Sequence, residues 1–158
     1  MSTQVNSAKG RIVELFRRVK NNDPINAGVV ICLLKTTETD ALLKDYITFA
    51  DLIAGANVEA DFDNYTRKTL TDAEIALPVV DNGADTVTVA VPSVVWGSAG
   101  SAAAGVNNTV LKCVLCYCTD VTAITNSNLE LMTVHDVNQT TNGNNLTMNA
   151  SNVIVGNN

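Results

Sequence analysis

The sequence predicts a mainly β domain: a jelly-roll-like antiparallel β-sandwich with an N-terminal amphipathic helix and one inserted helix. Three observations predict it. Apolar residues fill 46% of the 158 positions but aromatics only 4%, so the core must rest on Val, Ile, Leu and Ala. The β-branched members of that set favour strands. Asn, Gly and Thr punctuate the chain, and Asn-Gly stands at 82–83 and 142–143, a pairing that tight hairpin turns prefer. Charged residues are few, at 16%, and the apolar share is ordinary, a composition unlike that of disordered chains. One domain is expected at this length, with residues 1–22 as a basic helical arm and 23–158 as the sandwich.

Taken in order, residues 7–20 carry Ile12, Leu15, Phe16 and Val19 at helical spacing, with cations on the remaining faces. Asn21-Asn22-Asp23-Pro24 stops that helix, because proline disfavours helix in the residue before it. It reads either as a cap on an open sheet end or as an arm that anchors to a partner. Residues 25–35 are nearly all apolar and read as a strand buried on both faces. Residues 41–54 read as one helix, with Leu42, Tyr46, Phe49 and Ile53 on one side and Gly55 behind it.

Residues 59–70 read as a strand in which Glu59, Asp61, Asp63, Tyr65 and Arg67 share one face. That face meets solvent or a partner. Pro78 demotes residues 71–80 to an edge or a bulge. Asp81-Asn82-Gly83 then turns the chain into residues 85–91, whose Val87, Val89 and Val91 alternate cleanly. Val94-Val95-Trp96 is a short strand end, with Trp96 either a core anchor or a stacking surface. Residues 97–108 form a small-residue loop without the Lys of a phosphate cradle, read as a flexible or partner-ordered surface. A second doubly buried strand follows at 109–118, then strands at 129–134, 146–148 and 153–155. Asn142-Gly143 predicts a hairpin between 129–134 and 146–148.

The charge is unevenly spread. Residues 1–20 hold five cations (Lys9, Arg11, Arg17, Arg18 and Lys20) and one acid, Glu14, whereas the remainder holds five cations and fifteen acids. A basic head on an acidic body points to docking on something acidic. The acidic body argues against direct nucleic-acid binding. No apolar run approaches the roughly 20 residues of a membrane span, and no signal-peptide core is seen, so synthesis in a cytoplasm is expected.

Cys32, Cys113, Cys116 and Cys118 lie in apolar runs and read as buried thiols, Cys113 facing away from Cys116 and Cys118. A zinc site would need Cys32 or His135 as a fourth ligand, on a weak spacing. Asp61 and Asp63 offer carboxylates for calcium but lack the loop spacing of an EF-hand. His135 and Asp136 point apart in a strand, and no motif places a nucleophile beside them. No catalytic residue, cofactor or metal is assigned.

Several blocks together carry a likeness: Asp40-Ala-Leu-Leu-Lys-Asp-Tyr46, Glu59 to Lys68 with Phe62-x-Asn-Tyr-x-Arg-Lys68, Pro92-Ser-Val-Val-Trp96, Lys112-Cys-Val-Leu-Cys-Tyr117, and Leu129 to Asp136. Their order resembles small virion structural proteins of tailed bacteriophages, most like a capsid cement (decoration) protein. The ending Val153-Ile-Val-Gly-Asn-Asn158 departs from the aromatic-bearing end of that family. The resemblance implies a non-enzymatic part of the capsid exterior that binds the major capsid protein and stabilises capsomer joints, often as a homotrimer. Arg11, Arg17, Arg18, Tyr65 and Arg67 are then candidate interface residues. Removing residues 1–20 is expected to abolish shell binding and leave the fold intact. The alternative is a tail or fibre-tip module that binds host glycan or protein through Trp96 and the Asn-rich loops.

Overall fold

Two strands that the sequence makes apolar on both sides lie paired at the centre of the structure. They are β2 (Gly28–Thr36) and β8 (Thr109–Cys118), antiparallel from Gly28 opposite Cys118 to Leu34 opposite Lys112. The computed structural model that shows this describes residues 2–149 and 151–156. Strand β9 (Leu129–Thr140) pairs with β8 on its other side, and β1 (Ser2–Gln4) pairs with β9. Beyond β2, the sheet is completed by two short strands, β3 (Val58–Glu59) and β4 (Lys68–Leu70), both paired with β2 itself.

Period-two alternation sorts the side chains of this sheet into two cores. Val29, Ile31, Leu33, Cys113, Leu115 and Tyr117 face one side. Val30, Cys32, Leu34, Val114, Cys116 and Cys118 face the other. The mainly β, antiparallel class expected from the sequence is therefore observed. Among the described residues the pairing does not reproduce the two four-stranded sheets of a jelly roll. It forms one six-stranded sheet, a three-stranded sheet of β5 (Val79–Asp81), β6 (Thr86–Val91) and β11 (Ser151–Gly156), and a pair of β7 (Val94–Trp96) with β10 (Leu146–Met148).

Helix α1 (Ile12–Asn21) lies over the first face, and its Ile12, Leu15, Phe16 and Val19 are buried there with Val89, Val91 and Trp96. Burial of each such side chain contributes about 1.5–3 kcal/mol relative to exposure. Residues 2–4 thus pair with the sheet, and α1 buries its apolar side chains in the core. The helix begins later than the apolar spacing predicts. Gly10 sits at φ +80, and Arg11 donates its N–H to Ala8 in a preceding turn. Asn22, at φ 52, ends it in the left-handed conformation.

The second face is covered by α2 (Asp40–Leu43) and α3 (Phe49–Ala54), which replace the single helix predicted over 41–54. A capping box restarts the chain at Thr48, whose side chain accepts from Asp51 N–H while Asp51 accepts from Thr48 N–H. The carbonyls of Lys44 and Ile47 are meanwhile taken by the N–H groups of Asn6 and Leu131. A helix running through 44–47 would have needed both.

Two other expectations change. The hairpin over Asp81-Asn82-Gly83 forms, with Asp81 opposite Thr86. The turn at Asn142-Gly143 also forms, with Gly143 at φ +88, but it joins strands of different sheets: β9 pairs with β8, and β10 pairs with β7. The loop at 97–108 is held rather than loose in its first part. Ala99 is fully buried and exchanges hydrogen bonds with Asn144 and Gly143, and Gly100 N–H donates to the Asp63 carbonyl. A Cβ on Gly100 would lie 2.0 Å from Asn107 Oδ1, so only glycine fits there. Residues 102–107 are exposed.

Candidate functional site

The stretch 59–70 is not one strand. After Val58–Glu59 the chain leaves the sheet, and it returns as Lys68–Leu70. The side chains of Glu59, Asp61, Asp63, Tyr65 and Arg67 therefore do not share a strand face. What the segment does is set by the gap it leaves. Strand β4 pairs with β2 from Val29 to Ile31, and β3 pairs with Leu34 and Thr36. Between them Leu33 would have an unpaired backbone at the sheet edge, a costly state for a buried group. The crossover supplies both partners. Ala60 N–H donates to the Leu33 carbonyl at 2.8 Å. The Tyr65 hydroxyl accepts from Leu33 N–H at 3.0 Å and donates to Glu59 Oε1 at 2.8 Å.

Arg67 completes the latch. Its Nε and Nη2 hold the two Glu59 oxygens at 2.7 Å each, a bidentate fork. Nη2 also reaches Asn126 Oδ1, and the guanidinium lies 4.8 Å from the centre of the Phe49 ring. The crossover is thus tied to α3 and to the loop ahead of β9. The Arg67 side chain is 24% exposed and that of Glu59 23%. Burial pushes the Tyr65 hydroxyl well above the usual phenol range, and the Glu59 bond raises the Arg67 guanidinium further. Tyr65 also meets Phe62 edge to face at 5.1 Å. Tyr65 and Arg67, candidate interface residues by sequence, have their polar groups engaged within the chain.

The acids of the same stretch are satisfied by protein donors. Asp61 pairs with Lys35 and accepts from Asn108, which holds its carboxyl below the usual carboxylate range. Asp63 accepts from Val106 N–H. Cys32, Cys113, Cys116 and Cys118 are all free and buried, with Cys113 on the α1 face and the others opposite. Among the described residues no three His, Cys, Asp or Glu side chains are grouped to share a metal. His135 bonds Thr133 Oγ1 at 2.9 Å, and the adjacent Asp136 pairs with Lys112, which also holds Asp40. Trp96 is 1% exposed and donates Nε1–H to the Thr66 carbonyl, so it is a core anchor and offers no stacking surface.

Two surfaces face outward with groups left over. Just before α1, Arg11 is drawn to Glu130 at 2.9 Å, and on the helix Arg18 is drawn to Glu14 at 3.1 Å. Arg17 and, just before the helix, Lys9 are exposed and make no side-chain bond among the described residues. The second surface was not singled out from sequence. Leu77, Val79 and Val80 are 55%, 65% and 62% exposed at the edge of the three-stranded sheet. Pro78 signalled an edge there, but the exposure of both strand faces has no period-two signature, because Val79 and Val80 are both apolar. No helix among the described residues is long and apolar enough to cross a membrane. Compared with models of known families, with characterised proteins and with solved structures, the chain matches none.

Proposed function

We propose that this chain is a non-catalytic virion component of a tailed bacteriophage, a capsid cement protein bound outside the shell of the major capsid protein. The observation that supports this most is the pairing of a doubly covered sheet with bare contact surfaces. One sheet is packed on both faces and latched at its edge, while an apolar hairpin and the exposed Lys9 and Arg17, unpaired among the described residues, face outward. A cement protein needs that division: a body that resists deformation and patches that add contact area across capsomer joints. Closed assembly of copies around a local threefold would enlarge that area. The sequence blocks that resemble the phage family coincide with framework parts of the fold, including the crossover latch at 59–68 and the central strand around 112–117.

The tail-module reading loses its aromatic ligand surface, since Trp96 is buried. Protein stoichiometry of purified virions tests the proposal. Many copies in fixed ratio to the major capsid protein, and a raised temperature of genome release when purified chain is added to shells lacking it, are the expected results. A few copies that fractionate with tails, or shells no more heat-resistant with the chain than without it, would overturn it.

A further inference from the structure

We infer that the hairpin of β5 and β6 in one copy seats on the outer face of α1 in a second copy. This goes beyond the virion role and does not depend on it. The hairpin is apolar where it is bare: Leu77, Val79 and Val80 are each more than half exposed. Three large apolar side chains within four residues at a sheet edge mark an interaction surface rather than a solvated one. Pro78 lacks an N–H beside this edge, and Asp81 Oδ1 turns back to accept from Gly83 and Ala84. The edge strand is only three residues long and follows a proline, so side chains hold the partner rather than an added strand.

The charges say what the partner is. Between Lys68 and Lys112 the sequence holds Asp72, Glu74, Asp81 and Asp85 and no Lys or Arg. Asp81 and Asp85 are exposed and form no ion pair among the described residues. The complement is Lys9 and Arg17, equally bare, with the partly buried Val13 one turn from Arg17 as an apolar contact. These two sets do not meet within one molecule. Inside a copy, α1 packs beside the other end of β6, at Val89 and Val91. A second copy supplies both the acid-to-base match and cover for the apolar edge. Because every copy carries both halves, the contact either pairs two copies about a two-fold or runs head to tail, into a ring where the rotation closes.

Sedimentation of the purified full chain tests this. The wild type is expected to self-associate, and more weakly as salt rises, because exposed charges are screened. A hairpin variant, Val80→Ser with Asp85→Lys, and a helix variant, Lys9→Glu with Arg17→Glu, should each lose roughly tenfold or more in association constant. All four positions are exposed or nearly so on the surface, and circular dichroism checks that each variant is folded. Mixed in equal amounts, the two variants should associate again, since one brings an intact helix face and the other an intact hairpin. A monomeric wild type, a variant that associates as well as wild type, or a mixture no better than its parts would overturn the inference. Should either double variant misfold, Asp85→Cys and Arg17→Cys chains mixed under mild oxidation replace it. A mixed disulfide dimer supports the contact, and its absence overturns it.

Discussion

Tyr65 does with a hydroxyl what a strand residue does with its backbone. Tyr65→Phe keeps the ring against Phe62 but leaves Leu33 N–H without an acceptor. An orphaned donor costs about 1–3 kcal/mol, so the chemical denaturation midpoint should fall with no change in secondary structure. Arg67→Ala should cost a similar amount, because it strips the Glu59 carboxylate of its fork. That loss belongs to the isolated chain and is measured without any partner. His135 supplies a pH-dependent part of stability. Burial lowers its folded pKa below the ordinary value, so the unfolded chain takes up the proton first as pH falls. Stability is then full above the unfolded value of about 6.5 and declines as pH drops below it. His135→Gln should flatten the denaturation midpoint between about pH 6.5 and 5; an unchanged acid slope would refute this. At this scale the sequence was legible for the opposed faces of Cys113 and Cys116, which follow from alternation, whereas for Trp96 it left a core anchor and a stacking surface both open, and burial selects the first. It was not legible for Tyr65 and Arg67, since their partners Leu33 and Asn126 are distant in sequence.

At the scale of elements, α1 shows how one pattern admits two consequences, a cover for the sheet or an anchoring arm. Ile12, Leu15, Phe16 and Val19 form the predicted stripe, and that stripe is buried against the central sheet. The cations that suggested a detachable arm lie only on its outer side. Phe16→Ala should therefore destabilise the whole chain by about 3–5 kcal/mol, and deletion of 1–20 should abolish folding instead of docking alone. Thermal unfolding of both proteins checks this, and a deletion that keeps a cooperative transition would refute it. The strands at 28–36 and 109–118 were legible because continuous apolar runs mark burial on both faces. The break at Lys44–Thr48 was written in Thr48-x-x-Asp51, a local signal weaker to the eye than the apolar spacing running across it. The partner of β10 was not written locally at all. A turn at Asn142-Gly143 fixes a reversal of the chain, not which strand accepts the next one.

At the scale of the molecule, one sheet serves two cores. Strands β2 and β8 contribute alternate residues to each, so neither layer of cover can leave without exposing apolar side chains of the same strands. The α1 side and the α2–α3 side should then unfold together rather than as separate units. The buried thiols report on this without any engineered probe. Cys113 lies in the α1 core, whereas Cys32 and Cys116 lie in the other, and burial pushes the Cys113 and Cys116 thiols well above the usual range. A thiol in that state does not react with a labelling reagent until it is uncovered, since the thiolate is the nucleophile. Pulsed labelling in increasing denaturant should modify Cys113 and Cys116 with the same midpoint, and that midpoint should match the loss of far-ultraviolet dichroism. If Cys113 were labelled well before Cys116, the α1 layer would be lifting off alone. The central sheet would then be held by α2 and α3, and cooperative unfolding across it would have to be abandoned.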